Sequence, residues 1–188
     1  MTQRNELQSF EEEFFKRIRE HDAWKKISAE WDFPWSDKII ERYADKWDWK
    51  ELSENPAIRW SEELLEKYKN RIDWYVLSGI AMRSGNRKSN SLAFDWNIIK
   101  KFETYWNWQQ LSRYAENLPV EIIERFIDKW DWKELIDNRN INWSFELFEK
   151  FKRYIPVSDF DHLKQSSLWS NLVEIEEQII RGKVLSDV

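Results

Sequence analysis

The sequence lacks cysteine altogether and has only three glycines and four prolines among its 188 residues. Without cysteine the chain forms no disulfide and offers neither thiolate zinc ligands nor a cysteine nucleophile. So few glycines and prolines argue against the turn-rich loops of a sandwich or a barrel. No run of roughly 18 or more apolar residues is present, so we expect no membrane-spanning segment and a soluble, cytoplasmic protein.

Tryptophan and charged residues are present in excess. The chain has 14 tryptophans, and charged residues make up 35% of it, against about 25% in an average globular domain. The formal net charge of -5 disfavours an unspecific coat for nucleic acid, which usually has a basic excess. This composition suits a thin core of large aromatic rings with much charged surface around it.

A unit of about 25 residues recurs along the chain. The copy that begins at Trp35 has the sequence WSDKIIERYADKWDWKELSENPAIR, and the copy that begins at Leu118 has LPVEIIERFIDKWDWKELIDNRNIN. Large apolar residues stand 0, 4, 5 and 8 positions from the start of the copies, which is the spacing of one stripe on a helix. The copies begin at Phe10, Trp35, Trp60, Phe94, Leu118 and Trp143.

Helix start signals divide each copy into two helices. Ser36 and Ser61 are suited to accept hydrogen bonds from the first turn of one helix. Asp48 with Glu51 has the spacing of a capping box at the start of a second, shorter helix. One tryptophan falls in each second helix, and we expect these side chains to form a ladder along the stack of copies. The ladder residues are Trp24, Trp49, Trp74, Trp108 and Trp132.

A two-helix unit of this size cannot cover its own apolar face, so neighbouring copies must stack to bury it. The sequence therefore predicts an all-α fold, a right-handed α-solenoid of five to six two-helix repeats that makes a single domain over residues 1–188. We expect an insertion at residues 79–93 and a C-terminal cap at residues 169–188.

The search for catalytic chemistry finds little. His21 and His162 lie near opposite ends of the sequence without a nucleophile arranged beside them, and no phosphate-binding glycine loop is present. Asp159 and Asp161, with His162, are the one compact group of metal-ligand types, but their position after Pro156 favours a turn and helix-capping role over a metal site. We therefore expect no enzyme activity, no cofactor and no metal.

The copies depart from the common pattern in two places, and the binding sites of repeat proteins tend to lie at such departures. The insertion contains Arg83, Arg87 and Lys88 and no acid. It is suited to dock on a phosphate backbone or an acidic protein groove, although a merely solvated insertion is an equal alternative. Just before it, Tyr75 and Val76 replace the polar pair of the previous copy, which places apolar surface beside the insertion.

The second departure lies two residues after the start of each copy, where the column passes from acidic to apolar side chains. If this column faces outward, its apolar members Trp96, Val120 and Phe145 form an exposed stripe of the kind that marks a partner site. The alternative is that the geometry between copies changes there and these side chains join the core or cover the insertion. The residues expected at the partner site are Tyr75, Met82, Arg83, Arg87, Lys88, Trp96 and Phe145.

The common pattern W-S-x-E-L/I-I/L-E-K-Y/F-x-D-K-W-D-W-K-E-L-S-x-N resembles the short tryptophan-rich helical repeats found in proteins of phages, large DNA viruses and some bacteria. The likeness covers about residues 10–160. It implies a binding surface rather than catalysis. It also raises an anti-CRISPR-like role, the inhibition of a host defence nucleoprotein in the host cytoplasm.

Two functions follow from these observations. The leading hypothesis is a non-enzymatic module that binds a protein partner, such as a nucleoprotein complex, through the insertion and its neighbours, with no membrane contact. The alternative is a binder of single-stranded nucleic acid, RNA in particular, whose exposed aromatic rings stack on bases while the basic loop holds phosphates. Periodicity favours the first, because stacking of the copies already accounts for nearly every tryptophan.

Overall fold

A computed structural model describes residues 2–81, 96–116 and 118–186 of the chain. Every regular element in these residues is a helix, so the expectation of an all-α fold is confirmed for this part of the molecule. The first and last helices are long, and the short helices between them have six to eight residues each. The helices, in chain order, are α1 (Thr2–Ala29), α2 (Asp37–Arg42), α3 (Trp49–Glu54), α4 (Glu62–Tyr68), α5 (Trp74–Ala81), α6 (Trp96–Lys101), α7 (Trp108–Tyr114), α8 (Val120–Arg125), α9 (Trp132–Asp137), α10 (Phe145–Phe151), α11 (Phe160–Gln165) and α12 (Ser167–Ser186).

The short helices form two rows. Helices α2, α4, α6, α8 and α10 open the copies and make the first-helix row, whose neighbours are joined by ion pairs such as Lys67 to Glu41 at 2.9 Å and Lys150 to Glu124 at 2.8 Å. Helices α3, α5, α7 and α9 make the second-helix row, in which each helix contacts the next and α3 also contacts α1. The copies are therefore stacked in chain order.

The helices begin where the capping residues predict. Ser36 accepts a hydrogen bond from an N–H in the first turn of α2, and Asp48 accepts from the N–H groups of Glu51 and the residue before it at 3.1 Å. The Asp48 N–H, which a capping box would join to Glu51, donates instead to Ser28 of the preceding copy. Capping by these side chains is thus confirmed, whereas the reciprocal half of the capping box is wrong.

The tryptophans predicted for the second helices form the expected ladder, in which each indole packs on a ring at the C-terminal end of the next first helix or one residue beyond it. The indole N–H of Trp49 also donates to the Ala44 carbonyl at 2.9 Å, and that of Trp132 donates to the Ile127 carbonyl at 3.2 Å. These rings are therefore fixed by their own copy while they pack on the following one. The distances between ring centroids are 5.5 Å for Trp24–Tyr43, 4.7 Å for Trp49–Tyr68, 5.7 Å for Trp74–Phe102, 5.0 Å for Trp108–Phe126 and 5.6 Å for Trp132–Phe151.

Four buried serines, which we name the serine bridges, join each second helix to the next copy. Each hydroxyl donates to the carbonyl of the ladder tryptophan four residues earlier. Each also accepts, at 2.9–3.0 Å, from the N–H of the residue that caps the following second helix. A helix start in one copy thus depends on a hydroxyl of the copy before it. The serine bridges are Ser28, Ser53, Ser78 and Ser112, each at most 1% exposed.

The prediction of two helices is wrong for the first copy, where α1 runs without a break from Thr2 to Ala29. Two replacements explain the difference. The position that holds the capping residue Asp48 in the second copy holds Ala23 in the first, and the position of the buried ring of Trp47 holds Asp22. Because neither a cap nor a ring anchors a turn here, the backbone hydrogen bonds of the helix continue through it.

The C-terminal end of the described chain closes the stack with a long helix. Helix α12 begins at Ser167, slightly before the expected start of the cap. Leu168 and Leu172 are buried, and the Ser167 hydroxyl donates to the Asp137 carbonyl at 2.9 Å, which fixes the first half of α12 to α9. The second half of α12 is exposed. None of the helices in the described ranges has the length and apolar character needed to cross a membrane.

Candidate functional site

The first-helix row exposes charged side chains that pair with the neighbouring copy. Lys101 lies 2.6 Å from Glu62, and Lys129 lies 3.1 Å from Glu103. The hydrogen bond to Glu62 raises the pKa of Lys101 above its ordinary value. Exposed ion pairs of this kind each contribute little to stability. Several carboxylates of this row, such as Glu62, are therefore engaged in contacts between copies.

The column two residues after the start of each copy faces the following copy. Asp37 accepts a hydrogen bond from the Ser61 hydroxyl at 3.0 Å, across one junction of the row. Glu62 pairs in the same way with Lys101 across the next junction. The acidic members of the column are thus exposed but directed along the row. The outward-facing column of the prediction is therefore exposed at these positions, and Asp37 and Glu62 also contact the next copy there.

The apolar members of this column replace those polar junction contacts with packing. Trp96 and Val120 are half-buried and lie against the core, so the alternative that they join the core is favoured for both. Phe145 is 38% exposed, at the start of the last helix of the first-helix row in the described chain. The predicted exposed stripe is therefore reduced to Phe145.

Helix α5 differs from its neighbours in the second-helix row because it carries no charged residue. On its inner side it keeps the repeat pattern, with Trp74 in the ladder and Ser78 as a serine bridge. On its outer side Tyr75 is 56% exposed, and Val76 and Ile80 are half-buried. These last three side chains, which we name the α5 patch, form an apolar surface within a polar row.

The other junctions of the second-helix row are polar. Lys25 of α1 lies 3.7 Å from Glu51 of α3, and Gln109 of α7 donates to Glu134 of α9 at 3.0 Å. Arg113 adds two hydrogen bonds to the same carboxylate, at 2.6 and 2.8 Å, and these lower the pKa of Glu134 below its ordinary value. The α5 patch interrupts this series of polar contacts.

Gly79 allows α7 to approach α5 closely. A Cβ atom at this position would lie 3.1 Å from Oε1 of Gln110 and 3.7 Å from the Tyr114 ring. Gln110 is itself only 6% exposed, so the missing side chain of Gly79 is what leaves room for it. The α5 patch therefore stands on a closely packed junction between two helices rather than on a loop.

The predicted site residues fall into separate places. Tyr75 belongs to the second-helix row, whereas Trp96 and Phe145 open helices of the first-helix row, two copies apart. The structure thus groups Tyr75 with Val76 and Ile80. Of these three, only Ile80 was not singled out from the sequence. An uncharged helix in a charged row is the signal that would have found it. The predicted residues that lie outside the described ranges are Met82, Arg83, Arg87 and Lys88.

The acidic group near His162 includes a helix cap. Asp159 accepts a hydrogen bond from the His162 N–H at 3.2 Å, and the Lys133 ammonium lies 3.4 Å from its other oxygen. The backbone hydrogen bond, aided by the lysine, lowers the pKa of Asp159. The predicted capping role is confirmed for Asp159. Within the described part of the chain, no group of three His, Asp or Glu side chains is arranged to hold a metal ion.

A groove of about 330 Å³ lies between α1 and α3. Four of its five lining residues are charged, and Lys25 lies 3.7 Å from Glu51 there. Because the groove is open to solvent where α1 meets α3 and two of its charged side chains pair with each other, it is a feature of this junction between copies. It is lined by Asp22, Lys25, Lys26, Ala29 and Glu51.

Comparison with known proteins finds no relative of this chain, so the interpretation of its surfaces depends on the structure alone. The likeness of the repeat to tryptophan-rich phage and viral repeats accordingly stays a prediction. No family model, no curated protein and no solved structure matches the chain.

Proposed function

We propose that the chain is a non-enzymatic protein-binding module, a right-handed α-solenoid of five to six repeats that presents the α5 patch and the basic insertion to a protein partner. The observation that carries this proposal is the contrast between the two sides of α5. Its inner side makes the contacts that recur along the chain. Its outer side has Tyr75 and two apolar neighbours where the other second helices have polar contacts. Stacking of the copies gives no reason for an exposed tyrosine at that point.

The chemistry of this surface fits a partner with an apolar pocket and an acidic rim. Tyrosine offers a large contact area together with a hydroxyl, and it is enriched among the residues that dominate binding energy. Arg83, Arg87 and Lys88 follow α5 in the sequence and supply positive charge for the rim. A phage-type inhibitor of a host defence nucleoprotein is a concrete instance. The resemblance of the repeat supports that instance, and the geometry supports only the binding surface.

Binding of single-stranded nucleic acid is the alternative. It requires aromatic rings that are free to stack on bases. The ladder tryptophans instead stand 4.7–5.7 Å from rings of the following copies. Because these contacts occupy the rings inside the stack, the protein-binding proposal is favoured.

The α5 patch is tested by giving it the polar pair of the second copy. The double change Tyr75→Lys with Val76→Glu copies Lys50 and Glu51 onto α5. In affinity capture from the native cell with mass spectrometry, we expect this variant to lose the partner while its melting temperature stays within a few degrees of the unchanged chain. Val173→Glu, at an apolar residue of α12 that is 50% exposed, is the matched control and should keep the partner. Equal capture by all three chains would remove the α5 patch from the site.

The basic insertion is tested by charge reversal. Changing Arg83, Arg87 and Lys88 together to glutamate should weaken the captured complex. An equal change in net charge at exposed basic residues elsewhere should not. Those control residues are Lys46, Arg59 and Arg139.

The nucleic-acid alternative is tested by direct titration. Labelled RNA and single-stranded DNA are titrated at low and moderate salt, because contacts to phosphates produce a steep salt dependence. The proposal expects no binding at micromolar protein concentration. Tight, salt-sensitive binding that the charge reversal at the insertion abolishes would replace the protein-partner proposal with the alternative.

A further inference from the structure

The first half of α1 carries an apolar stripe that nothing in the described chain covers. Two of its rings, Phe10 and Phe14, stack at 6.4 Å between centroids, and Phe14 lies 5.9 Å from Phe15. Contiguous apolar surface of this kind on a projecting helix marks an interaction site. The α1 stripe consists of Phe10, Phe14, Phe15 and Ile18, which are 69%, 50%, 61% and 42% exposed.

The repeat shows what such a stripe ordinarily packs on. In the later copies the ring eight residues from the start, such as Tyr68 or Phe102, packs on the ladder tryptophan of the preceding copy. Ile18 is the equivalent residue of the first copy, and it is 42% exposed instead of packed on a ladder tryptophan of the described chain. The stripe has the composition of a repeat interface, and the described part of the chain leaves it exposed.

The spacing of the stripe is symmetric about Phe14, so two copies of the helix can pair in opposite directions with their apolar residues in register. Phe10, Phe14 and Ile18 are four residues apart, so they lie along one face of α1. An antiparallel copy of the same helix, centred on Phe14, would place Phe14 against Phe14 and Phe10 against Ile18. Such a contact is isologous and closes after two chains, as most homodimers do.

The charges beside the stripe favour the same arrangement. Glu13 and Arg17 lie on one flank of the helix and form an ion pair at 3.1 Å within it. Their side chains remain 52% and 76% exposed, so both can also contact a neighbouring helix. In an antiparallel pair centred on Phe14, the same flanks of the two helices adjoin, and Arg17 of one helix lies two residues along the axis from Glu13 of the other, within reach of its carboxylate.

The area of the stripe indicates a weak, reversible contact. At the exposures given above, the four side chains offer roughly 400 Å² of apolar surface in each chain. A symmetric pair would bury about 800 Å² from the stripes alone, which lies below the standard size of stable interfaces. We propose that the partner of the α1 stripe is a second copy of this chain, held as an antiparallel α1–α1 pair with Phe14 at its centre.

The association is tested by sedimentation velocity over a concentration series from roughly 1 µM to 1 mM, the range in which weak interfaces dissociate. The unchanged chain should shift from monomer to dimer. Phe14→Glu should raise the dissociation constant at least about tenfold. Because Phe14 is half exposed, this variant should keep the circular dichroism and melting temperature of the unchanged chain. A chain that stays monomeric throughout, or a dimer that Phe14→Glu does not weaken, overturns the proposal.

A matched control separates this pair from a head-to-tail contact between the two end helices. Ile180 of α12 is 51% exposed, much like Phe14. Ile180→Glu should leave the dimer intact. If it dissociates the dimer as Phe14→Glu does, the stripe is covered by α12 of another copy and the α1–α1 pair is wrong.

Single cysteines test the direction of the pair, since the chain has none of its own. With a short bifunctional maleimide, Phe14→Cys should cross-link to itself. Phe10→Cys and Ile18→Cys should each fail alone and cross-link when mixed. Strong cross-linking of Phe10→Cys alone and of Ile18→Cys alone would show a parallel pair and contradict the antiparallel one.

Discussion

The first two copies share an apolar pattern and have different structures. In the second copy the chain turns between α2 and α3, and Ile40 is 1% exposed. In the first copy the chain is one continuous helix, and Phe15 at the equivalent position is 61% exposed. An apolar stripe therefore indicates which face of a helix can be buried, but not whether it is buried. Caps and turn anchors decide whether the stripe is brought to the core.

The two copies are nevertheless alike in their second halves. Trp24 packs on the next copy as Trp49 does. Ser28 bridges to the next copy as Ser53 does. The boundary between ordinary and divergent structure therefore falls inside α1, near Asp22, and not between copies.

The largest expected difference between the first two copies is in the cost of truncating the apolar residue at equivalent positions. Ile40→Ala should cost about 2–5 kcal/mol of unfolding free energy, because it leaves a cavity in a core that does not close around it. Phe15→Ala, at the same repeat position in the first copy, should change it by no more than about 0.5 kcal/mol, because the ring is exposed. Urea titration at low protein concentration, where α1 is unpaired, measures both. Similar losses would show that the α1 stripe is buried after all.

A somewhat smaller loss of stability is expected when the serine bridges are removed, and it should be alike in the first two copies. Ser53→Ala should cost about 1–3 kcal/mol, because the Asp73 N–H loses its acceptor at a buried junction. Ser28→Ala should cost about as much, although it lies in the divergent first copy, because it serves the Asp48 N–H in the same way. Ser158→Ala, at an exposed serine, is the control. A harmless Ser28→Ala would mean that the divergence extends through the whole of α1.

The sequence predicted those parts of the fold that depend on local rules. Helix periodicity placed Ile40 in the core, and capping preference placed Ser36 and Asp48 at helix starts. The serine bridges were missed although Ser28, Ser53, Ser78 and Ser112 form a column four residues after the ladder tryptophans. A serine inside a helix is unremarkable until the structure shows which N–H of the next copy reaches it.

The candidate site was predictable only in part. Tyr75 departs from the consensus in the sequence itself, and its exposure agrees with that departure. Trp96 and Val120 depart as clearly, yet they are half-buried. The reason is that their column faces along the row, as the hydrogen bond between Ser61 and Asp37 shows. The direction of a column relative to the next copy depends on how copies stack, which a single repeat does not specify.

A third prediction concerns the cap that distinguishes the two copies. Asp48→Ala should cost about 1 kcal/mol, because two N–H groups at the start of α3 lose their acceptor. Ala23→Asp, which puts the same acid into α1, should lower stability by no more than about 0.7 kcal/mol, since it only lowers helix propensity at an exposed site. Urea midpoints measure both. A stabilising Ala23→Asp would show that α1 already tends to break there, and would count against the explanation of its continuity.

The smallest expected effect compares acids at the same position of α3 and α9. The hydrogen bonds from Arg113 hold the pKa of Glu134 below its ordinary value of 4.5. A depressed pKa contributes stability that is present above the unfolded value and is lost as the pH falls through the folded one, so the loss begins below pH 4.5. Between about pH 7 and pH 3, Glu134→Gln should remove about 1 kcal/mol of pH-dependent stability.

At pH 7, Glu51→Gln should lower the free energy of unfolding less than Glu134→Gln does, because Lys25 of α1 lies 3.7 Å from Glu51 and makes a looser contact than Arg113 does with Glu134. Urea midpoints of both variants at the two pH values give the comparison. Equal effects would show that the junction between α1 and α3 is held as firmly as the junction between α7 and α9. The first copy would then differ from the others only in the half of α1 that precedes Asp22.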